Sequence, residues 1–324
     1  MRGTRGRLRL RSTTLAFATT AVLAASGTLA ASASAYIYVG DGSHIVRANN
    51  DGTGVNPGFI AVDGFVCGVA VDSSHIYWTD LNSVGRANLD GTNVQQDLYT
   101  IADPAKSFCG VALDGSHVYW VERNSNTIGR ADLDGGNPQP TLFTAASQPC
   151  GVAVDGTYAY FATTASGPIT RFPKDGGAPV AMGWATGNAA CSIAVSDKAV
   201  YYADHNASGA TPIHAASTTS MSVLADVPGA TAPCGIAVSA SALYWANDPI
   251  AGGSVGTVAL GSDGGAVGAP NQSLLTGLGG PCGIAVDSLP PPPPSGGGSP
   301  PPTGGDTPPP TGDTPPPTGS TPPP

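Results

Sequence analysis

Between residues 36 and 288 the chain alternates short apolar runs with polar breaks. From Cys67 the run Cys67-Gly-Val-Ala-Val71 is small and β-branched, and Asp72-Ser-Ser74 ends it. His75-Ile-Tyr-Trp-Thr79 follows, then a turn at Asn82-Ser83, then Val84 to Leu89, then Asp90-Gly91, and finally Gln96 to Ile101. Each run is too short for a globular helix, and no stretch sustains a helical period, so the pattern predicts four strands. Asp-Gly is a strong hairpin signal, and it returns at Asp51-Gly52, Asp134-Gly135 and Asp175-Gly176.

The unit repeats. Cys67, Cys109, Cys150, Cys191, Cys234 and Cys282 open the phrases CGVAVD, CGVALD, CGVAVD, CSIAVS, CGIAVS and CGIAVD, at intervals of 42, 41, 41, 43 and 48 residues. Four short strands in about 42 residues is the content of one propeller blade. Blades converge on an axis, so Gly, Ala, Val and Cys suit the narrow inner strand, and aromatics fill the widening gap further out. Tyr77-Trp78, Tyr119-Trp120, Tyr160-Phe161, Tyr201-Tyr202 and Tyr244-Trp245 are therefore expected to be packing between blades.

The body begins and ends inside a unit. Tyr36 to Val39, Ile45 to Arg47 and Asn50 to Gly52 match strands two and three with no first strand ahead of them; Cys282 to Asp287 is a first strand with nothing after it. The two fragments make one whole repeat, giving an all-β, six-bladed β-propeller of four-stranded blades. Its ring is closed by strand 282–287 joining the N-terminal blade, which removes an exposed edge.

Tyr77-Trp78-Thr79-Asp80 reads YWTD, and the unit CGVAVD…YWTD…VGRANLDG resembles the YWTD repeat of low-density-lipoprotein-receptor class B, as do Tyr119 to Glu122 and Ile128 to Gly135. The resemblance covers 36–288, strongest over 67–176, and implies a six-bladed propeller with an extracellular protein-binding role. Later copies drift: blade five carries His214 and blade six Thr257 where Arg86, Arg130 and Arg171 stand.

The ends are of other kinds. Arg2, Arg5, Arg7, Arg9 and Arg11 precede an apolar stretch from Leu15 to Leu29, and Ala33-Ser34-Ala35 is an A-x-A cleavage site, so 1–35 is expected to be a secretory signal peptide. A membrane anchor is the other reading, for which the stretch is short; no membrane span is expected after cleavage. Residues 289–324 are a Pro/Gly/Thr-rich linker or stalk, with DTPPPTG twice, that has nothing to bury and could extend ~110 Å. Its PPPTG units lack the leucine and hydrophobic tail that sortase anchoring requires. A domain beyond Pro324 is left open.

Charge narrows the partners. Without the leader arginines the chain has 8 basic and 22 acidic residues, a net of −14, which disfavours nucleic acid and anionic membranes. For the cysteines three readings stand: buried free thiols, disulfides between neighbouring blades, or a ring of metal-ligating thiolates. Asp41, Asp80, Glu122 and Asp204 share one position, filled by Thr163 in blade four and Asn247 in blade six. They are expected to bind backbone N–H groups or a neighbouring arginine; the alternative is a calcium or catalytic cluster. His75 and His117 are equivalent positions at the start of strand two, and no histidine sits in a protease or triad motif.

A specific site should lie where copies differ. The irregular stretches are 181–190 with Trp184, 204–218 with His205 and His214, and 248–268 with Asp248, and these four residues are the candidate ligand rim. The expected function is a secreted or cell-surface, monomeric, non-enzymatic scaffold binding a protein or glycan, with no cofactor. The alternative is a metal-dependent enzyme in the channel, using calcium or another divalent ion, similar to the six-bladed gluconolactonases or the streptogramin lyases.

Overall fold

The computed structural model describes residues 35–287, apart from 102, 104–105, 165–166, 187–189, 205–209, 225 and 249–251. The expected leader up to residue 34 and the stalk lie outside the described residues, as does His205. Twenty-four strands are described, in six antiparallel four-stranded sheets arranged as a ring. Among the described residues no helix is long and apolar enough to cross a membrane.

Blade 2 shows the plan: β4 (Gly68–Val71), β5 (His75–Thr79), β6 (Ser83–Asn88) and β7 (Gln95–Thr100) pair in order from the axis outward. Blade 3 is β8 (Phe108–Leu113), β9 (His117–Glu122), β10 (Thr127–Asp132) and β11 (Gln139–Thr144), and blade 4 is β12 (Pro149–Val154), β13 (Tyr158–Thr163), β14 (Gly167–Pro173) and β15 (Val180–Thr186). Blade 5 is β16 (Ala190–Val195), β17 (Ala199–Asp204), β18 (Ala210–Ser217) and β19 (Val227–Thr231), and blade 6 is β20 (Pro233–Val238), β21 (Ala242–Asn247), β22 (Gly253–Leu260) and β23 (Ala266–Leu278). Blade 1 is shared between the ends of the body. Its inner strand is β24 (Pro281–Val286), followed outward by β1 (Tyr36–Asp41), β2 (His44–Asn49) and β3 (Asn56–Ala61). The seam is antiparallel, with Ile37 opposite Val286, Tyr38 opposite Ala285 and Val39 opposite Ile284.

The hydrophobic core is divided among the junctions. Six clusters of buried side chains lie one between each pair of neighbouring blades; Trp120, Tyr77 and Phe108 belong to the cluster between blades 2 and 3, and Trp245 and Tyr201 to that between blades 5 and 6. Trp78, Trp120 and Trp245 are fully buried. Each faces a glycine across the strand pair: Trp78 opposite Gly85, Trp120 opposite Gly129 and Trp245 opposite Gly256. A Cβ on any of these glycines would enter the indole ring. Where the aromatic is smaller the partner has a side chain: Phe161 faces Thr170 and Tyr202 faces His214.

That register corrects the reading of blade five. Tyr77, Tyr119 and Tyr160 face Arg86, Arg130 and Arg171, but Tyr201 faces Ala215. His214 therefore stands in the glycine position, and Ala215 in the arginine position. In blade six Thr257 does face Tyr244.

Candidate functional site

Strands alternate in direction, so the turns between second and third strands and the connections between blades share one face of the ring. Each inner strand starts at this face, which puts all six cysteines at one end of the central channel. The channel holds a cavity of about 370 Å³, lined by the six cysteines, the residues just after them, Arg123 from the β9–β10 turn and Thr164 from the β13–β14 turn.

Close backbone approach explains the Cys-Gly phrase. A Cβ at Gly68 would stand 2.8 Å from the Cys109 carbonyl oxygen, and one at Gly110 would stand 2.9 Å from that of Cys150. Neighbouring inner strands thus touch main chain to main chain, and the cysteines are brought within disulfide range: the Cα atoms of both Cys150–Cys191 and Cys234–Cys282 are 4.7 Å apart, and both pairs are disulfides. Cys67 and Cys109 stand in the same relation at the starts of the inner strands of blades 2 and 3, with sulfurs 2.6 Å apart. The Cys109 sulfur lies 3.6 Å from that of Cys150. Among the described residues no group of three or more His, Cys, Asp or Glu side chains is placed to hold a metal ion.

The acidic position after the aromatic pair serves the backbone. Asp80 accepts from the N–H groups of Asn82 and Ser83, both at 2.7 Å, and from the Ser83 hydroxyl. Glu122 accepts from the N–H groups of Ser107, Asn124 and Ser125, and Asp41 from those of Gly279 and Gly280. Asn247 does the same with its amide oxygen, receiving the Thr231 N–H at 2.8 Å. The arginines go elsewhere than to these carboxylates. Arg47, Arg86 and Arg130 each donate to a carbonyl of the next blade, those of Leu89, Leu133 and Lys174. Arg171 stacks on Tyr158, with its guanidinium carbon 4.3 Å from the ring centroid.

The four rim candidates are dispersed. Trp184 lies on β15, and the description extends only to its backbone. His214 engages its own blade, with Nδ1 3.0 Å from the Asp226 carboxylate and its ring 5.1 Å from that of Tyr202. Asp248 is half-buried at the start of the β21–β22 connection, its N–H bonded to the Ala232 carbonyl. Part of the irregular stretches also leaves this face: the turn at Gly261 to Gly265 joins third and fourth strands and sits at the opposite one. His75 and His117 lie at that opposite face too, beside Asp72 and Asp114.

Repeat reading missed a different pair. Phe65 and Leu81 are 45% and 48% exposed on the channel-mouth face, Phe65 in the connection from blade 1 to blade 2 and Leu81 in the β5–β6 turn. The two segments pack together, for a Cβ at Gly64 would lie 2.9 Å from the Asp80 Cβ. Two large apolar residues in segments the repeat requires to be polar turns were the available signal.

No family model matches the chain, and no curated protein matches it. Solved structures do. A chain of the crystal structure of a nidogen/laminin complex is 16% identical, covering 78% of this chain and 98% of its own, with a TM-score of 0.62. Virginiamycin B lyase from Staphylococcus aureus is 18% identical, covering 72% and 82%, with a TM-score of 0.49. At this identity the first likeness is one of fold, and it agrees with the strand order and ring closure: the chain is a six-bladed β-propeller of the kind that its YWTD-type repeats imply.

Proposed function

We propose that the protein is an extracytoplasmic binding module that holds a protein or glycan partner on the channel-mouth face. The observation that carries this is that exposed Phe65 and Leu81 stand on two segments that touch at Gly64 and Asp80. Exposed aromatic and aliphatic side chains on a rigid platform are the usual anchors of an interface, whereas isolated exposed apolar residues need no explanation. The scaffold under them is fixed, since Asp80 ties down the turn that carries Leu81. The nidogen/laminin assembly contains a chain of this fold within a complex, which supports the same reading.

The test uses the purified protein on a glycan array and on immobilised extracellular proteins, beside a Phe65→Ser/Leu81→Ser variant. A partner bound by the native protein and bound at least ~10-fold more weakly by the variant is expected, the scale of losing one or two interface anchors. Equal binding by both would overturn the assignment of the face. Stoichiometric divalent metal surviving dialysis, together with lactone hydrolysis, would replace the binding reading by an enzymatic one.

A further inference from the structure

We propose that the cleft between blades 4 and 5, on the face opposite the channel mouth, binds a lysine-like ligand: a primary ammonium joined by a short chain to a carbonyl or carboxylate. The repeat supplies the pattern one junction earlier. Between blades 3 and 4, Lys174 of the β14–β15 turn reaches back to blade 3. Its Nζ lies 2.9 Å from Asp114 Oδ2, which also accepts the Tyr119 hydroxyl, and its carbonyl oxygen accepts from Arg130 at 3.0 Å. The two side chains of the ion pair are largely buried. One lysine thus brings a cation and a carbonyl to a set of Asp, Tyr and Arg.

The next junction repeats that set and changes the residue that meets it. Asp155, Tyr160 and Arg171 hold the places of Asp114, Tyr119 and Arg130: Asp155 Oδ2 accepts the Tyr160 hydroxyl at 2.7 Å, and Tyr160 faces Arg171 across the strand pair. The place of Lys174 falls to Thr218. The Lys174 N–H bonds the carbonyl of Thr157 just before β13, and the Thr218 N–H bonds that of Lys198 just before β17. Thr218 is short and turns its hydroxyl to the carbonyls of Asp197 and Lys198. What a lysine fills at one junction is here a cleft of about 310 Å³, lined by Asp155, Tyr160, Arg171, Asp197 and Thr218 among others. That is the lower end of small-molecule sites.

The cleft offers an acceptor and a donor of opposite charge. Asp155 Oδ1 is engaged by the N–H groups of Thr157 and Tyr158, which turns Oδ2 to the cleft; a carboxylate oxygen accepts two hydrogen bonds, as Asp114 Oδ2 does. Arg47, Arg86 and Arg130 each reach a carbonyl of the next blade, but Arg171 Nε is buried without a hydrogen-bond partner, its guanidinium held against the Tyr158 ring. A buried donor is costly to leave unmet, and a ligand carbonyl relieves it. A bare anion would meet Asp155 and Asp197, and a bare amine would leave Arg171 unserved, so the chemistry that fits carries both groups.

The probe is 6-aminohexanoate, titrated calorimetrically into the folded full chain. One equivalent should bind, and hexylamine and hexanoate, each lacking one end, should bind at least ~10-fold more weakly. Nα-acetyl-lysine methylamide separates the sources: binding as tight as 6-aminohexanoate means a lysine residue within a polypeptide, and a requirement for the free carboxylate means a free amino acid. Thr218→Lys gives blade 5 the side chain that blade 4 has; it should abolish binding of the probe and raise the melting temperature. Asp155→Asn, which keeps an oxygen for the turn, should weaken the probe at least ~10-fold, and Arg171→Gln should weaken the probe while leaving hexylamine unchanged. Phe65→Ser/Leu81→Ser, on the other face, should bind the probe as the native protein does, so this site stands or falls separately from the channel-mouth interface. Absence of binding at ~10 mM probe, or equal binding by native protein and both Thr218→Lys and Asp155→Asn, would overturn the proposal.

Discussion

Trp120 and Gly129 show what a single position contributes. The indole occupies the space a Cβ would need, so the two residues act as one packing unit. Trp120→Ala should cost about 3–5 kcal/mol through the cavity it leaves. Gly129→Ala should cost about 1–3 kcal/mol by overpacking. Combined, they should cost less than their sum, since removing the indole frees the space for the methyl; denaturant melts of the three variants check this. The coupling was readable in the sequence, because in copies with Trp the third-strand Val84, Ile128 or Val255 is followed by Gly, whereas in the copies with Phe161 and Tyr202 the corresponding Ile169 and Ile213 are followed by Thr170 and His214. It was missed because sizes were compared within strands rather than across the hairpin. Titration makes a second prediction at this scale. Burial alone would raise the Asp114 carboxyl, but Lys174 at 2.9 Å, two N–H groups and the Tyr119 hydroxyl hold it well below the usual range. A depressed folded value means stability present above the unfolded carboxyl pKa of ~4 and lost as pH falls through the folded one. At the other end, burial pushes Tyr77 and Tyr119 up to about 12. Their contribution is complete below the unfolded value of ~10 and is lost as pH rises toward 12. Lys174→Met should therefore lower stability at pH 7 and flatten the acid limb of a stability–pH curve, leaving the alkaline limb unchanged.

At the level of the element, the end of each inner strand carries a short polar residue that shapes the next turn. Asp72, Asp114 and Asp155 accept the N–H groups two and three residues on, and Ser196 and Ser239 do so with their hydroxyls. Asp155→Ala should cost about 1–3 kcal/mol by leaving two turn donors without that partner, read from the melting temperature. Strand boundaries, turn positions and the order of strands were legible because apolar runs and Asp or Gly breaks have a fixed phase. The disulfides were not. Sequence spacing does not reveal how near two inner strands approach, and that distance is set by glycines whose value lies in a missing atom. The arginines were legible as a repeat but not in their targets. Their partners are carbonyl oxygens, which no sequence distinguishes. Nor does the clasp run round the ring: it joins blades 1 to 4, where Arg171 stacks on Tyr158 instead, and blades 5 and 6 carry Ala215 and Thr257 at that position.

For the whole molecule, closure is the decisive contact, and its geometry was legible because two incomplete units were complementary. Asp287, the last of the turn-capping series, accepts the Tyr36 N–H at 3.1 Å and the Tyr38 hydroxyl at 3.0 Å. It treats the opposite end of the body as though a covalent turn still joined β24 to β1. Deleting 282–287 removes this cap, a whole inner strand and the Cys234–Cys282 bridge together, and should lower the melting temperature sharply. Asp287→Asn should give a smaller loss, since the amide oxygen still accepts but carries no charge. An unchanged melt on deletion would show that the ring does not depend on its seam.

The same hydrogen bond joins residues 251 apart, and that separation governs when the fold can exist. A chain synthesised from its amino end presents β1 first and β24 last. Throughout that interval blade 1 has an open edge on which any other strand can pair. Each later blade can form as it emerges, but the first must wait for the last, so the final step is slow and its precursor sticky. Chains halted before Cys282 should accumulate as soluble aggregates with strand content, while chains carried through Asp287 should resolve into compact monomers. The seam that protects the finished ring is thus also the timer of its birth.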